Sequence, residues 1–547
     1  MFFDGECDAA FPPGAVKFLN TLQEVSTFFT IPIKIGAPQG GSTMRDSKTA
    51  LACVVKEHLN RGAFYLVLLI GICLIPFALA QRTARRSPAN IITVANLNDS
   101  GSGSLRQALA DANDGDTIEF AVTGTISLTS GELVIDKNIT ISGPGSNSLT
   151  VRPSSGSFFR VFDVMPSHSI TIQGITISFG YAGSAQGGGI YLDEHVTATI
   201  ADCVLTNNYT GDIGGAIFID GYSGGAMLTV LNSTIMGNTA GTMDNGGSGA
   251  GIYSSADALT IIDSTISNNT AWIGGIDLSG GNGGGINNEN GTLNISNTTI
   301  SSNLAGVSGG GISGYGTMTI TNSTISGNVA GFTQPGEAGV GGGIWNSGAL
   351  TITNCTISDN DAHGSTFKGG GVGGGIYSAN GSADIGNSTL SGNRAEVHGG
   401  SIYGGTFDIG NSILNGGSPE NIYDATVTSH GYNVCSDDGG GLLNGPGDQI
   451  NTDPLLGPLQ DNGGPTFTHE LLTGSPAIDA GDPNFTPPPY YDQRGPDFWR
   501  VRNGRIDVGS FEVQAGSTPT PTPTATATPS PRTKPTPRSR PTPRLRP

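Results

Sequence analysis

The sequence predicts an all-β chain wound as a right-handed parallel β-helix, a three-sheet solenoid with a short N-terminal capping helix. Three observations predict it. One phrase returns about every 30 residues, the mark of stacked repeats rather than a globular core. Within each repeat, apolar and small or polar residues alternate in the two-residue rhythm of strands. Between repeats there is no room for the crossover helix that parallel strands of a doubly wound sheet need.

The phrase is clearest at Leu228-Thr-Val-Leu-Asn232-Ser-Thr-Ile235-Met-Gly-Asn238 and Met318-Thr-Ile-Thr-Asn322-Ser-Thr-Ile325-Ser-Gly-Asn328. A glycine-led strand precedes it, as in Gly214-Gly-Ala-Ile217, Gly341-Gly-Gly-Ile344 and Gly373-Gly-Gly-Ile376. Stacked coils turn equivalent residues into columns. One is Asp202, Asn232, Asp263, Asn297, Asn322, Asn354, Asn387 and Asn411; a second is Asn208, Asn238, Asn269, Asn303, Asn328, Asn360 and Asn393. Asn tolerates left-handed backbone angles, so both columns are expected at tight corners. Leu205, Ile235, Ile266, Ile300, Ile325, Ile357, Leu390 and Leu414 form the expected core column. Glycine, 87 of 547 residues, would suggest disorder if unpatterned, but it sits at fixed repeat positions and so marks turns and close approach.

The ends follow. Residues 1–43 read as a leader or an early start codon. Residues 44–80 read as an export signal, with basic residues, an apolar run over 64–80, and Ala78-Leu79-Ala80 as a cleavage site before Gln81. A transmembrane helix anchoring the chain is the alternative. Ser104 is the expected N-cap of a helix whose Leu105, Ala108, Leu109 and Ala112 share a face. It would cover an open strand edge. The β-helix is expected over 90–420, a distal cap over 421–513, and a disordered Thr/Pro/Arg-rich tail over 514–547.

Charge narrows the function. Residues 81–515 hold 13 Lys and Arg against 38 Asp and Glu, and none of the basic residues lies between Val161 and Phe367. Such a surface does not neutralise phosphates, so no nucleic-acid partner is expected. Cys203 and Cys355 share one repeat slot, too many rungs apart for a disulfide; with Cys435 they read as small buried thiols. No metal-ligand spacing appears, and neither a cofactor nor a metal is assigned.

Ile92-Thr-Val-Ala-Asn96, Gly103-Ser-Leu-Arg-Gln-Ala-Leu109 and Gly115-Asp-Thr-Ile118 resemble the opening of bacterial parallel β-helix proteins of the pectin-lyase-like class. Asp453-Pro-Leu-Leu-Gly457, Gly474-Ser-Pro-Ala-Ile-Asp479, Asp492-Gln-Arg-Gly495 and Asp507-Val-Gly-Ser-Phe-Glu512 resemble the choice-of-anchor Q domain. The glycine-led repeats are similar to those of polymorphic outer-membrane proteins. The resemblance implies a secreted or cell-surface protein; the expected partner is a polysaccharide, or a cell-envelope polymer met by the six basic residues after position 515. A monomer is expected.

Two functions stand: a noncatalytic adhesin-like or glycan-binding protein, and a polysaccharide lyase or glycoside hydrolase. The second needs a catalytic set, and the sequence holds only fragments: Asn451-Thr-Asp453, Asp437-Asp438 and Arg505-Ile-Asp507, out of order, with Lys368 and Arg394 as isolated bases. No catalytic residue is assigned. For binding, the residue after each glycine-led Ile should face outward: Tyr191, Phe218, Tyr253, Asn287, Ser313, Trp345, Tyr377 and Tyr403. Tyr191, Phe218, Tyr253, Trp345, Tyr377 and Tyr403 are the candidate ligand-binding residues, as platforms for sugar rings. The competing expectation is that these rings pack beneath the loops between rungs.

Overall fold

Each repeat makes one coil of a parallel β-solenoid, as the computed structural model of the chain shows. The structure describes residues 89–242, 245–274, 280–331, 338–364 and 370–514. The leader, the 64–80 run, Gln81, Lys368 and the tail from 515 lie outside the described residues. Among the described residues no helix is long and apolar enough to cross a membrane.

One coil is Met227–Leu231, Thr234–Met236, Thr239–Ala240 and Ile252–Ser254. Stacking these segments gives a first sheet of 13 strands, a second of 12, a third of 11 and a short fourth of seven. Every neighbouring pair in the four is parallel and nearly all keep register, with Ile235 beside Ile266 and Ile300 beside Ile325. The core column from Leu205 to Leu414 is fully buried, as the alternation predicted. The last coil, Ile422–Tyr423, Thr426–Gly431 and Val434–Cys435, carries the sheets beyond position 420.

The cap helix forms over Leu105–Asp111, and the Gln107 N–H donates to Ser104 Oγ at 3.2 Å. Its Leu105, Ala108 and Leu109 are buried. Arg106 fastens it by donating to the carbonyls of Glu132 and Gly131, each at 2.7 Å, and to Asp99 at 2.8 Å.

The two asparagine columns differ, which corrects the expectation of two alike corners. Asp202 through Asn411 all hold left-handed φ, between 44° and 54°. In the second column the left-handed residue is the preceding one, such as Asn207, Asn268 or Asp359. Asn208 through Asn393 are themselves buried and form a ladder. Asn303 is typical: its Oδ1 accepts the backbone N–H and the Nδ2 of Asn269, and its Nδ2 donates to Asn328 Oδ1 and Ile266 O, all within 3.0 Å. A buried amide survives because every polar atom it carries is matched one rung away.

The cysteine slot forms a second ladder. The Ser233 N–H donates to Ser264 Oγ at 3.1 Å, and the Cys355 N–H to Ser388 Oγ at 3.1 Å. Cys203, Cys355 and Cys435 are free and buried, as expected. Burial pushes the Cys203 and Cys355 thiols up to about 12, so they remain unreactive.

Beyond the last coil the distal segment turns back along the flank of the second sheet. Thr324, Thr356 and Thr389 are outward residues of adjacent rungs, yet each is at most 1% exposed because this segment lies on them. The Thr324 hydroxyl donates to Phe467 O at 2.6 Å, the Thr356 hydroxyl to Gln493 Oε1 at 2.6 Å, and the Ser510 N–H to Thr389 Oγ1 at 3.0 Å. An apolar cluster of Ile413, Val434, Leu471, Ala477, Val508 and Phe511 secures its end near the last coil. The segment therefore straps the side of the coil as well as closing its end.

Candidate functional site

The acids and bases of the fragmentary catalytic motifs are committed to backbone. Asp437 accepts the N–H groups of Asn421 and Gly439, Asp438 caps a 3₁₀ turn, and Asp453 accepts the N–H of Leu455. Asp507 accepts the N–H groups of Asp479 and Val513, while Arg505 donates to the carbonyls of Gly481 and Ala480. Arg394 pairs with Asp361 at 3.0 Å and Glu396 at 3.6 Å. Among the described residues no group of three or more His, Cys, Asp or Glu could hold a metal ion.

The residues that suggested a distal motif turn out to build the strap's interior. Arg494 donates to Asp492 Oδ2 at 2.6 Å and sits between the rings of Phe498 and Phe511, 3.9 and 3.7 Å from their centroids. Glu512 Oε2 accepts the Asp507 N–H at 2.8 Å. Burial, then the charge of Asp507, pushes the Glu512 carboxyl up to about 9, so it is protonated at neutral pH. Arg500, fully buried, donates to Asn387 Oδ1 on the coil at 3.2 Å. His469 donates through Nδ1 to Gly457 O at 2.7 Å, and its Nε2 lies 2.9 Å from the Ser358 hydroxyl, within hydrogen-bonding reach. Burial lowers its pKa, in keeping with a neutral ring.

The aromatic column exists on the third sheet in the expected order. Tyr191, Phe218 and Tyr253 stack at 5.2 and 5.5 Å, with interplanar angles of 14° and 18°. Tyr377, Tyr403 and Tyr423 stack at 5.4 and 6.1 Å, and His398 lies on Tyr423 at 3.7 Å. Face-to-face stacking turns ring faces toward one another and leaves edges outward, so the column is not a flat platform. Phe218, Tyr253, Asn287 and Ser313 are buried; Tyr191, Trp345, Tyr377 and Tyr403 are half-buried. Close backbone approach helps enclose the rings. At Gly373, φ 67°, a Cβ would lie 2.8 Å from the Tyr377 Cβ. Tyr423, 43% exposed, extends the column by one rung that the glycine signature did not reveal.

A second concave surface was not visible in the sequence. It follows the left-handed Asp/Asn corner between the first and second sheets, where the strap stands beside it. One cavity of about 560 Å³ is lined by Asp202, Asn232, Asp263 and Asn297; another of about 270 Å³ by Asn322, Asn354, Tyr490 and Tyr491. Asn297 and Pro465 line both, joining them into one groove. No repeat signature finds this groove, because half of its wall arrives from a segment more than a hundred residues away.

The three main parallel sheets, the short fourth and the docked strap define the class of this molecule: a parallel β-solenoid. No family model matches the chain, and no curated protein matches it. Among solved structures it is similar to the pectate lyase Pel9A, at 16% identity and TM-score 0.39, over 79% of this chain and 98% of that one. It is similar also to the PL6 family alginate lyase AlyGC, at 13% identity and TM-score 0.34, over 70% of this chain and 55% of that one.

Proposed function

We propose that this chain is a noncatalytic secreted or cell-surface β-helix that binds a polysaccharide or cell-envelope polymer. The observation that carries the reading is the run Tyr377–Tyr403–Tyr423, closed by His398, which presents ring edges at successive rungs of one face. Tyrosine edges offer apolar area together with a hydrogen-bonding hydroxyl at little entropic cost. Regular spacing suits a polymer of regular repeat. The commitment of the motif acids to backbone N–H groups supports binding over catalysis. The likeness of the distal residues to a choice-of-anchor Q domain supports a surface location. The glycine-led repeats, similar to those of polymorphic outer-membrane proteins, agree with it. A chain beginning at Gln81 after export is part of this proposal, and the mass of the secreted protein tests it.

The functional test is a polysaccharide array with product release assayed in the same wells. Retention without new reducing ends or unsaturated uronates supports the binding protein. Release of either replaces it with the hydrolase or lyase. Trp345→Ala with Tyr377→Ala, at unchanged melting temperature, should abolish retention on the stripe; loss of melting stability with binding intact would make the column structural.

A further inference from the structure

The geometry points to the corner groove, from Asp202 to Tyr490, as a binding site for a neutral polysaccharide strand. It takes its ligand class from the glycan reading above but does not use the aromatic column. Four observations carry it.

The groove has the size of a ligand site, its two parts together falling within the roughly 300–1,000 Å³ that such sites span. Its floor repeats. Asn297, Asn322 and Asn354 occupy the same corner position on consecutive rungs, about 4.8 Å apart by strand spacing. A periodic row of amides matches a ligand whose hydroxyls recur at a similar interval, which a sugar chain has and a compact metabolite lacks.

One floor group is buried and unmatched. Asn354, 2% exposed, donates through Nδ2 to Tyr491 O at 2.8 Å and to Asn322 Oδ1 at 3.3 Å, but its own Oδ1 has no partner. A buried acceptor left unmatched is costly; Asn354 Oδ1 is closed to solvent, so a sugar hydroxyl satisfies it only by turning the side chain toward the groove. The same residue lines the cavity.

The wall is apolar and exposed. Tyr490 is 59% exposed, beside Pro488 and Pro489, and no ring stacking covers its faces among the described residues. This is the free aromatic face that the stacked column lacks.

Charge then selects the ligand. Asp202 and Asp263 line one end, accepting from the amides of Asn232 and Asn297. Arg494, the only cation among the described residues lining either cavity, is 5% exposed and tied to Asp492 between two phenyl rings. An anionic uronate chain would meet carboxylates with no free cation, whereas a neutral chain pays no such repulsion.

The test is calorimetric titration of the full secreted chain with neutral hexasaccharides of β-linked glucose, xylose and mannose. An oligouronate and a lysine-rich peptide serve as competing probes. Tyr490→Ala and Asn322→Gly should each weaken neutral-sugar binding by about tenfold, with melting temperature unchanged. Glycine keeps the left-handed backbone at 322 and removes only the amide. Undiminished affinity in both variants overturns the groove. So does binding confined to the oligouronate or to the peptide. If both groove variants bind normally while Trp345→Ala with Tyr377→Ala does not, the glycan reading survives on the column and only the groove falls. If no sugar binds in any variant or in the parent chain, both fall together.

Discussion

Asp492 and Arg494, two positions apart in one loop, form a buried two-pronged ion pair, with Nη2 to Oδ2 at 2.6 Å and Nε to both carboxylate oxygens at 3.1–3.2 Å. Asp492 Oδ2 also accepts the Glu512 N–H at 2.8 Å, so one carboxylate joins two distant parts of the strap. Such a pair is worth little against an apolar replacement, but losing one member strands the other charge in the interior.

Arg494→Ala should therefore cost the strap about 3–5 kcal/mol. Protease cleavage and amide exchange should rise across residues 456–514 while the first sheet stays protected. Uniform loss of protection along the coil would mean that strap and coil unfold as one unit.

The pH dependence follows from Glu512. Its folded carboxyl titrates near 9, against an ordinary value of 4.5. The folded state thus holds the proton more tightly, and stability falls as pH rises between those values, by up to about 1.4 kcal/mol per pH unit. His469, whose pKa burial lowers, acts in the opposite sense below 6.5. In melting curves between pH 7 and 8 the glutamate dominates, because the three buried thiols, also raised on folding, add a loss of the same sign only as pH nears their unfolded value; Glu512→Gln should flatten the curves there. An equal slope in parent and variant would remove Glu512 as the cause.

Ile325→Asp buries an unpaired carboxylate in the core column and should lower stability by several kcal/mol. Unchanged melting would contradict the register of that strand.

Asn303→Ala removes the acceptor of the Asn269 N–H and Nδ2 and the donor to Ile266 O. At about 1 kcal/mol or more for each stranded group, the variant should lose roughly 3 kcal/mol. Denaturant unfolding measures it, and a loss below about 1 kcal/mol would show that the ladder re-forms around the gap.

Cys355→Ser should go the other way. It places a hydroxyl where the slot elsewhere carries one, replacing a weak sulfur acceptor, and should add about 0.5–1 kcal/mol. A less stable variant would show that the thiol is favoured by packing.

The coil was legible because its information is local. Ile235, Ile266 and Ile325 recur with their neighbours, and repetition alone makes them a column. The left-handed corner at Asn322 was readable for the same reason. What Asn303 does was not: asparagine dominates both columns, and the one difference, that the corner admits Asp202 and Asp263 while the ladder needs an amide on every rung, shows its meaning only once the bonds are seen. The strap and groove were hidden for a different reason. Thr356 meets Gln493 across 137 positions and Thr389 meets Ser510 across 121, and nothing near either threonine announces a partner. The aromatic column was correctly ordered, but alternation gives a direction, not the tilt that stacks one ring on the next.

A repeating coil is degenerate under translation by one rung. Thr234, Thr265 and Thr299 continue the column of Thr324, Thr356 and Thr389 in the same register, so the threonine seats alone would hold the strap equally well one step along. That symmetry is broken where the partners do not recur. Arg500 meets Asn387 and the Asp482 N–H meets Asn411 Oδ1 at 2.8 Å, but both asparagines belong to the recurring corner column; it is the apolar end that needs Ile413 and Val434 where earlier rungs carry threonine. Those apolar contacts act as an index mark on an otherwise uniform scale. Inserting or deleting a whole repeat upstream should leave the strap seated on the same terminal rungs, so coil length can drift in evolution without disturbing how the chain is closed.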